Sequence, residues 1–161
     1  MKPFVISREL AAPRERVWQA WTEQERLRQW MSPKDFAVIA AKLDLRPGGS
    51  YHYGLRMPDG KEVWGMWVFR EIKPPERLVF VQSFSDPQRG MARHPLAPDW
   101  PAKMLSTVSF EPKGKGTLLT IQWQPIEATE VELKVFDGAR PSMTQGWSGT
   151  FEKLTAYLQK G

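Results

Sequence analysis

The chain contains no cysteine, which excludes a disulfide framework, thiolate catalysis and cysteine-held metal. Asparagine is missing too, so there is no acceptor for N-glycosylation. Histidine occurs twice, as His52 and His94. Neither stands with carboxylates at a ligand spacing, so no metal and no cofactor is expected. No serine sits in a Gly-x-Ser-x-Gly elbow, and two histidines leave a catalytic triad few candidates. No apolar run approaches the ~18–20 residues of a membrane span, and MKPFVISREL reads as a first strand rather than a secretory signal. These absences predict a cytoplasmic protein that makes no use of the membrane.

What is present fits one folded unit. The 161 residues predict a single domain, 1–161, large enough for one sizeable core. The net charge of +5 raises the question of nucleic acid, yet basic and acidic residues alternate, as in Arg14-Glu15-Arg16 and Glu23-Gln24-Glu25-Arg26. That pattern is a solvated face, and nucleic-acid binding would need a basic stripe.

Phe4 to Leu10 alternates with the two-residue period of a strand. Pro13 then suits a helix start, with Val17, Trp18 and Trp21 as one apolar stripe. Thr22-Glu23-Gln24-Glu25 reads as a capping box opening a second short helix that buries Leu27 and Trp30. Strands follow at Phe36 to Leu45, Ser50 to Met57, Lys61 to Ile72, Arg77 to Phe84, Met104 to Pro112 and Thr117 to Gln124. Short Pro/Gly turns join most of them, which predicts an antiparallel meander. Arg46-Pro47-Gly48-Gly49 precedes a strand, not a helix, so it is a turn rather than a phosphate cradle. Asp86 to Pro101, with four prolines, exceeds a hairpin loop and is expected to form a lid through Met91, Leu96 and Trp100. A short helix is expected from Thr129 to Gly138. The last, Pro141 to Gln159, carries the stripe Met143, Trp147, Phe151, Leu154 and Leu158. The class is therefore α+β: a curved antiparallel sheet closed by a long helix.

The eight tryptophans suggest a wide aromatic interior. Trp67 and Phe69 share one face of their strand, Phe80 shares a face with Gln82, and Trp123 follows Leu119 and Ile121. A sheet gripping a helix leaves space between them, and the candidate ligand contacts are Tyr53, Trp67, Phe69, Phe80, Gln82, Trp123, Met143, Gly146 and Trp147. Gly146 and Gly149 flank Trp147, which suggests a strand or ligand close to the helix. No catalytic residue is nominated. Glu71 shares parity with Trp67 and Phe69, which makes it a candidate buried acid or base; the commoner case is a strand-end carboxylate reaching water. His52 should face away from Tyr51 and Tyr53, and His94 is expected in solvent.

Several motifs resemble, in order and spacing, those of the homologues of the activator of the heat-shock-protein-90 ATPase. They are Ala12-Pro13 with Val17-Trp18 and Trp21, Trp30-Met31-Ser32-Pro33, Asp44-Leu45-Arg46-Pro47-Gly48-Gly49, Pro58-Asp59-Gly60, Pro74-Pro75-Glu76-Arg77-Leu78, and Gln145-Gly146-Trp147 with Leu154. That family lies within the START/birch-pollen-allergen (SRPBCC) superfamily of helix-grip domains. The resemblance implies seven curved antiparallel strands wrapped around a long C-terminal helix, with two short helices after the first strand. It also implies three functional readings. The first is binding of a small hydrophobic molecule in the cavity. The others are a protein-binding module with a chaperone partner and a cyclase- or hydrolase-type enzyme using the same cavity. Monomer and homodimer both stay open.

Overall fold

A computed structural model describes residues 2–94 and 97–160. The first half runs β1 (Phe4–Leu10), α1 (Arg14–Thr22), α2 (Gln24–Trp30), β2 (Ala37–Leu43), β3 (Ser50–Arg56) and β4 (Glu62–Lys73). The second runs β5 (Arg77–Ser85), β6 (Met91–Ala92), β7 (Lys103–Lys113), β8 (Gly116–Ile126), α3 (Glu130–Gly138) and α4 (Arg140–Gln159). All strand pairs are antiparallel, in the order β1-β8-β7-β5-β4-β3-β2, so the first strand pairs with the last. The two-residue β6 is additional to the seven expected strands. It takes up the edge of β5 beyond Ser83, where the pairing with β7 stops.

Alternation along the strands gives the sheet one apolar face, carrying Tyr51, Trp67, Phe80, Val108 and Ile121, all buried. In β4 the register against β5 slips between Phe69 and Glu71. Beyond that bulge Ile72 pairs with buried Leu78, and Glu71 pairs with Val79. One extra residue exchanges the two faces, so Glu71 turns outward and meets Arg77 at 2.7 Å. The parity that grouped Glu71 with Trp67 and Phe69 ends at the bulge, and Glu71 is a strand-end carboxylate in contact with water.

Helix starts differ from the expected signals in one place. Thr22 ends α1, and its hydroxyl donates to the Trp18 carbonyl at 2.8 Å. Glu23, the residue before α2, makes no side-chain cap. A threonine at a helix end has the carbonyl four residues back within reach, and that bond displaces the expected box. A complete capping box opens α3 instead, between Thr129 and Glu132.

The two short helices carry the centre of the core. Trp21 is fully buried, with its ring 5.0 Å from Trp30, 6.0 Å from Trp67, 6.2 Å from Phe110 and 6.3 Å from Trp147. The Trp30 indole N–H donates to the Ala20 carbonyl at 2.9 Å, which locks α2 against α1. From α4, Phe151, Leu154 and Leu158 enter this core, while Met143 joins a smaller cluster with Phe4, Met104 and Phe136. Ile6, Trp123 and Trp147 touch both clusters. No helix among the described residues is long and apolar enough to cross a membrane.

Candidate functional site

Side chains of both clusters enclose a cavity of about 630 Å³, well within the ~300–1,000 Å³ typical of small-molecule sites. The sheet contributes Tyr53, Trp67, Phe80, Gln82 and Trp123, and α4 contributes Met143, Gly146 and Trp147. Of the nine residues nominated from sequence, Phe69 alone is absent from the wall. Its ring is 1% exposed and packs edge-on to Trp67 at 6.4 Å and Phe80 at 6.0 Å. Face parity is right for Phe69, but two residues further along β4 the core closes over the sheet and no space remains.

The wall is chemically one-sided. Among the described residues that line it there is no Asp, Glu, Lys or Arg, and the titratable groups are Tyr53 and His94. Burial pushes the Tyr53 hydroxyl up to about 12, against hydrogen bonding that opposes the shift. Trp67 stacks on Phe80 with ring centres 4.2 Å apart, and Trp123 meets Trp147 edge-on at 5.5 Å. These are packed aromatic surfaces suited to a flat apolar partner.

Glycine sets the position of Tyr53. Tyr53 lies opposite Gly65 on the neighbouring strand, and a side chain at Gly65 would run into the Tyr53 ring. The ring therefore lies across β4, where the hydroxyl accepts a hydrogen bond from Gln82 Nε2 at 3.3 Å. On the other face the roles reverse, with Trp64 lying over Gly54 and its ring 5.3 Å from that of His52. His52 is buried there, its Nε2 3.0 Å from Ser85 Oγ and 3.1 Å from the Asp86 carbonyl. It anchors the sheet end of the 86–101 loop and is absent from the cavity wall.

Three parts of the site were not legible in the sequence. The first is the 31–36 segment, whose Met31, Pro33 and Phe36 line the cavity. Lys153 on α4 fastens it: Nζ donates to Ser32 Oγ at 2.5 Å and to the carbonyls of Pro33 and Phe36 at 3.2 and 3.3 Å. Partial burial lowers the Lys153 pKa, with Asp35 opposing. Thr150 adds a bond from its hydroxyl to the Ser32 carbonyl at 3.3 Å. The second is His94, which is half-buried on the wall and not in solvent. Its ring is 4.9 Å from Phe84 and 6.3 Å from Trp100, and burial lowers its pKa. The third is α3, whose Val135 also reaches the cavity.

The proline-rich loop supplies Ala97, Trp100 and Pro101 to the wall. Met91, expected to fold inward, is 61% exposed because its strand pairing with Ser85 fixes it on the outside. Leu96 lies outside the described residues. The loop is tied at its start and near its middle. The Asp86 carboxylate accepts from the backbone N–H groups of Gln88 and Gly90 at 2.9 and 2.8 Å. Arg93 reaches Glu132 of α3 at 2.5 Å. The Thr129 backbone N–H, and then Arg93, hold the Glu132 carboxyl below its usual value.

Gly146 borders the cavity, and a β-carbon there would meet nothing within 4 Å; at Gly149 it would meet Lys34 Cβ at 3.4 Å. No strand presses on either position; at Gly149 the neighbour is Lys34 of the 31–36 segment, in ordinary contact, and at Gly146 no protein atom approaches. At Gly146 the missing side chain leaves open space.

A curved antiparallel sheet, two short helices after its first strand, and a long terminal helix over an apolar cavity define a helix-grip domain. The sequence matches the family described as Activator of Hsp90 ATPase homolog 1-like protein over residues 11–159, and the chain belongs to that family. No curated protein matches it. Among solved structures it is similar to a Nitrosomonas europaea protein at 25% identity, with a TM-score of 0.77, covering 99% of this chain and 95% of that one. An Arthrobacter aurescens protein gives 26% identity and a TM-score of 0.78 over 99% and 87% of the two chains. A Mycobacterium smegmatis protein gives 25% and 0.76 over 94% and 87%.

Proposed function

We propose that this protein binds a small, uncharged, hydrophobic molecule in the cavity between the sheet and α4. The observation that carries this reading is a volume of about 630 Å³ whose described wall offers no formal charge. An ion placed there would lose hydration without gaining a counter-charge, whereas an apolar molecule gains by leaving water. The fold supports the reading, since α4 and the sheet face each other across this cavity, with Met143, Gly146 and Trp147 on one side and Tyr53, Trp67 and Gln82 on the other. Among the described residues, the large apolar side chains that do reach solvent, Val5, Leu45, Val68, Met91 and Val131, belong to five different segments. They support a surface docking role less well than the cavity supports ligand binding.

Thermal unfolding with matched probes tests this. Methylpyrene, which is neutral, should raise the unfolding midpoint, because a ligand at about 100 times its Kd adds roughly 2.7 kcal/mol. Pyrene sulfonate, with the same rings and one negative charge, should raise it far less. Equal stabilisation by the two, or none by methylpyrene, contradicts the reading.

A further inference from the structure

We propose that Tyr53 and Gln82 form a polar recognition point that selects, among flat hydrophobic molecules, those bearing a neutral hydroxyl group. This rests on the cavity being the ligand site and adds the class of ligand it prefers.

The two residues lie 29 positions apart and meet through sheet register. Trp67 pairs with Gln82 on one side of β4, while Gly65 pairs with Tyr53 on the other. Because Gly65 has no side chain, the Tyr53 ring can cross the strand and bring its hydroxyl to the amide. Both residues line the cavity.

Counting donors and acceptors shows what this pair leaves unused. A phenol carries one donor hydrogen and an acceptor oxygen, and a primary amide carries two donors and a carbonyl. Among the described residues the only side-chain hydrogen bond of either group is the one between them, from Gln82 Nε2 to Tyr53 Oη at 3.3 Å. The Trp67 indole N–H approaches the Tyr53 hydroxyl without completing a hydrogen bond, and as a donor it could not take the phenol's proton. The Tyr53 O–H and the Gln82 carbonyl are therefore both unspent. With the amide turned the other way, the phenol oxygen and the amide N–H are left instead. Either orientation leaves at least one donor beside at least one acceptor, since the amide's second N–H is also unused.

Of the other polar groups on wall residues, the indole N–H groups of Trp67 and Trp147 are buried without a partner and can only donate, whereas two hydroxyls are committed to the fold. Ser32 Oγ receives Lys153, and the Thr150 hydroxyl is directed at the carbonyls of Ser32 and Gly146. A ligand hydroxyl donates and accepts through a single atom and so matches the pair. Burial keeps Tyr53 protonated, with its pKa at about 12, so the phenol remains a donor across the working range. A ligand without a polar atom there would cover the pair and leave its donor and acceptor unsatisfied. Sites built to bond a hydroxyl reject analogues that lack it for this reason.

The test uses three probes on one ring system: hydroxypyrene, methoxypyrene and methylpyrene, titrated by fluorescence. Wild-type protein should bind hydroxypyrene about tenfold more tightly than methylpyrene, with methoxypyrene, an acceptor only, in between. Tyr53→Phe and, independently, Gln82→Met should collapse the hydroxypyrene-to-methylpyrene ratio to near one. Two variants on different strands keep the test decisive if one folds poorly. Equal affinities for hydroxypyrene and methylpyrene in wild-type protein overturn the selectivity while leaving the cavity as a binding site. An intact ratio in both variants overturns the assignment to this pair. Failure of every probe to bind overturns the selectivity and the cavity reading together.

Discussion

Replacing Phe151 by alanine is expected to lower folding stability by about 3–5 kcal/mol, the usual range for a buried phenylalanine. Phe151 is fully buried, 5.5 Å from the Trp147 ring, and the Arg8 guanidinium sits 5.3 Å above it. It is thus the point at which α4 is bound both to β1 and to the aromatic core. Packing is dense on this side, so the space left by the ring would not be refilled without moving α4 or Trp147. For a chain of this length the loss corresponds to a fall of roughly 6–20 °C in the unfolding midpoint. Calorimetry decides it, and an unchanged midpoint would show that α4 does not grip the sheet through this residue.

Gly146→Leu should separate binding from folding. A glycine inside a helix costs about 1 kcal/mol relative to alanine, and leucine is nearly as good a helix former. A β-carbon at Gly146 has open space around it, so the leucine variant is expected to be as stable as the parent or more so, by about 0.5–1 kcal/mol. The same side chain would project where Gly146 borders the cavity and occupy ligand space. Affinity for methylpyrene should fall about tenfold or more, or about 1.4 kcal/mol. Loss of stability together with unchanged affinity would mean that α4 is packed differently at this turn.

The features of the fold legible in the sequence are those set by local rules. Period-two alternation located the main strands, and the spacing of Met143, Trp147, Phe151, Leu154 and Leu158 located the long helix and its inner face. The resemblance of motifs agreed with the seven strands and with the two short helices that prop the sheet, both already read from the residues. Failures occurred where one residue changes the geometry. A bulge after Phe69 carried Glu71 to the outer face. The Thr22 hydroxyl found a carbonyl within its own helix and left α2 uncapped.

The site was legible on the strands and less so elsewhere. Eight of nine nominated residues line the cavity because inward parity on a strand is a local property. Phe69 has the same parity, but its depth along the sheet depends on where the prop helices close. The 31–36 wall depends on Lys153, which lies near the other end of the chain, and no spacing rule joins them. His94 reads as a loop residue in solvent until Phe84 and Trp100 are seen on either side of it.

The most direct test of ligand binding in the cavity is a nuclear magnetic resonance titration of the labelled protein with methylpyrene. Saturable, one-to-one shifts are predicted at the indole N–H signals of Trp67, Trp123 and Trp147 and at the Gly146 amide, with Val68 and Val131 on the outside unmoved. Shifts confined to outer residues, or none at probe saturation, would contradict a binding role for the cavity.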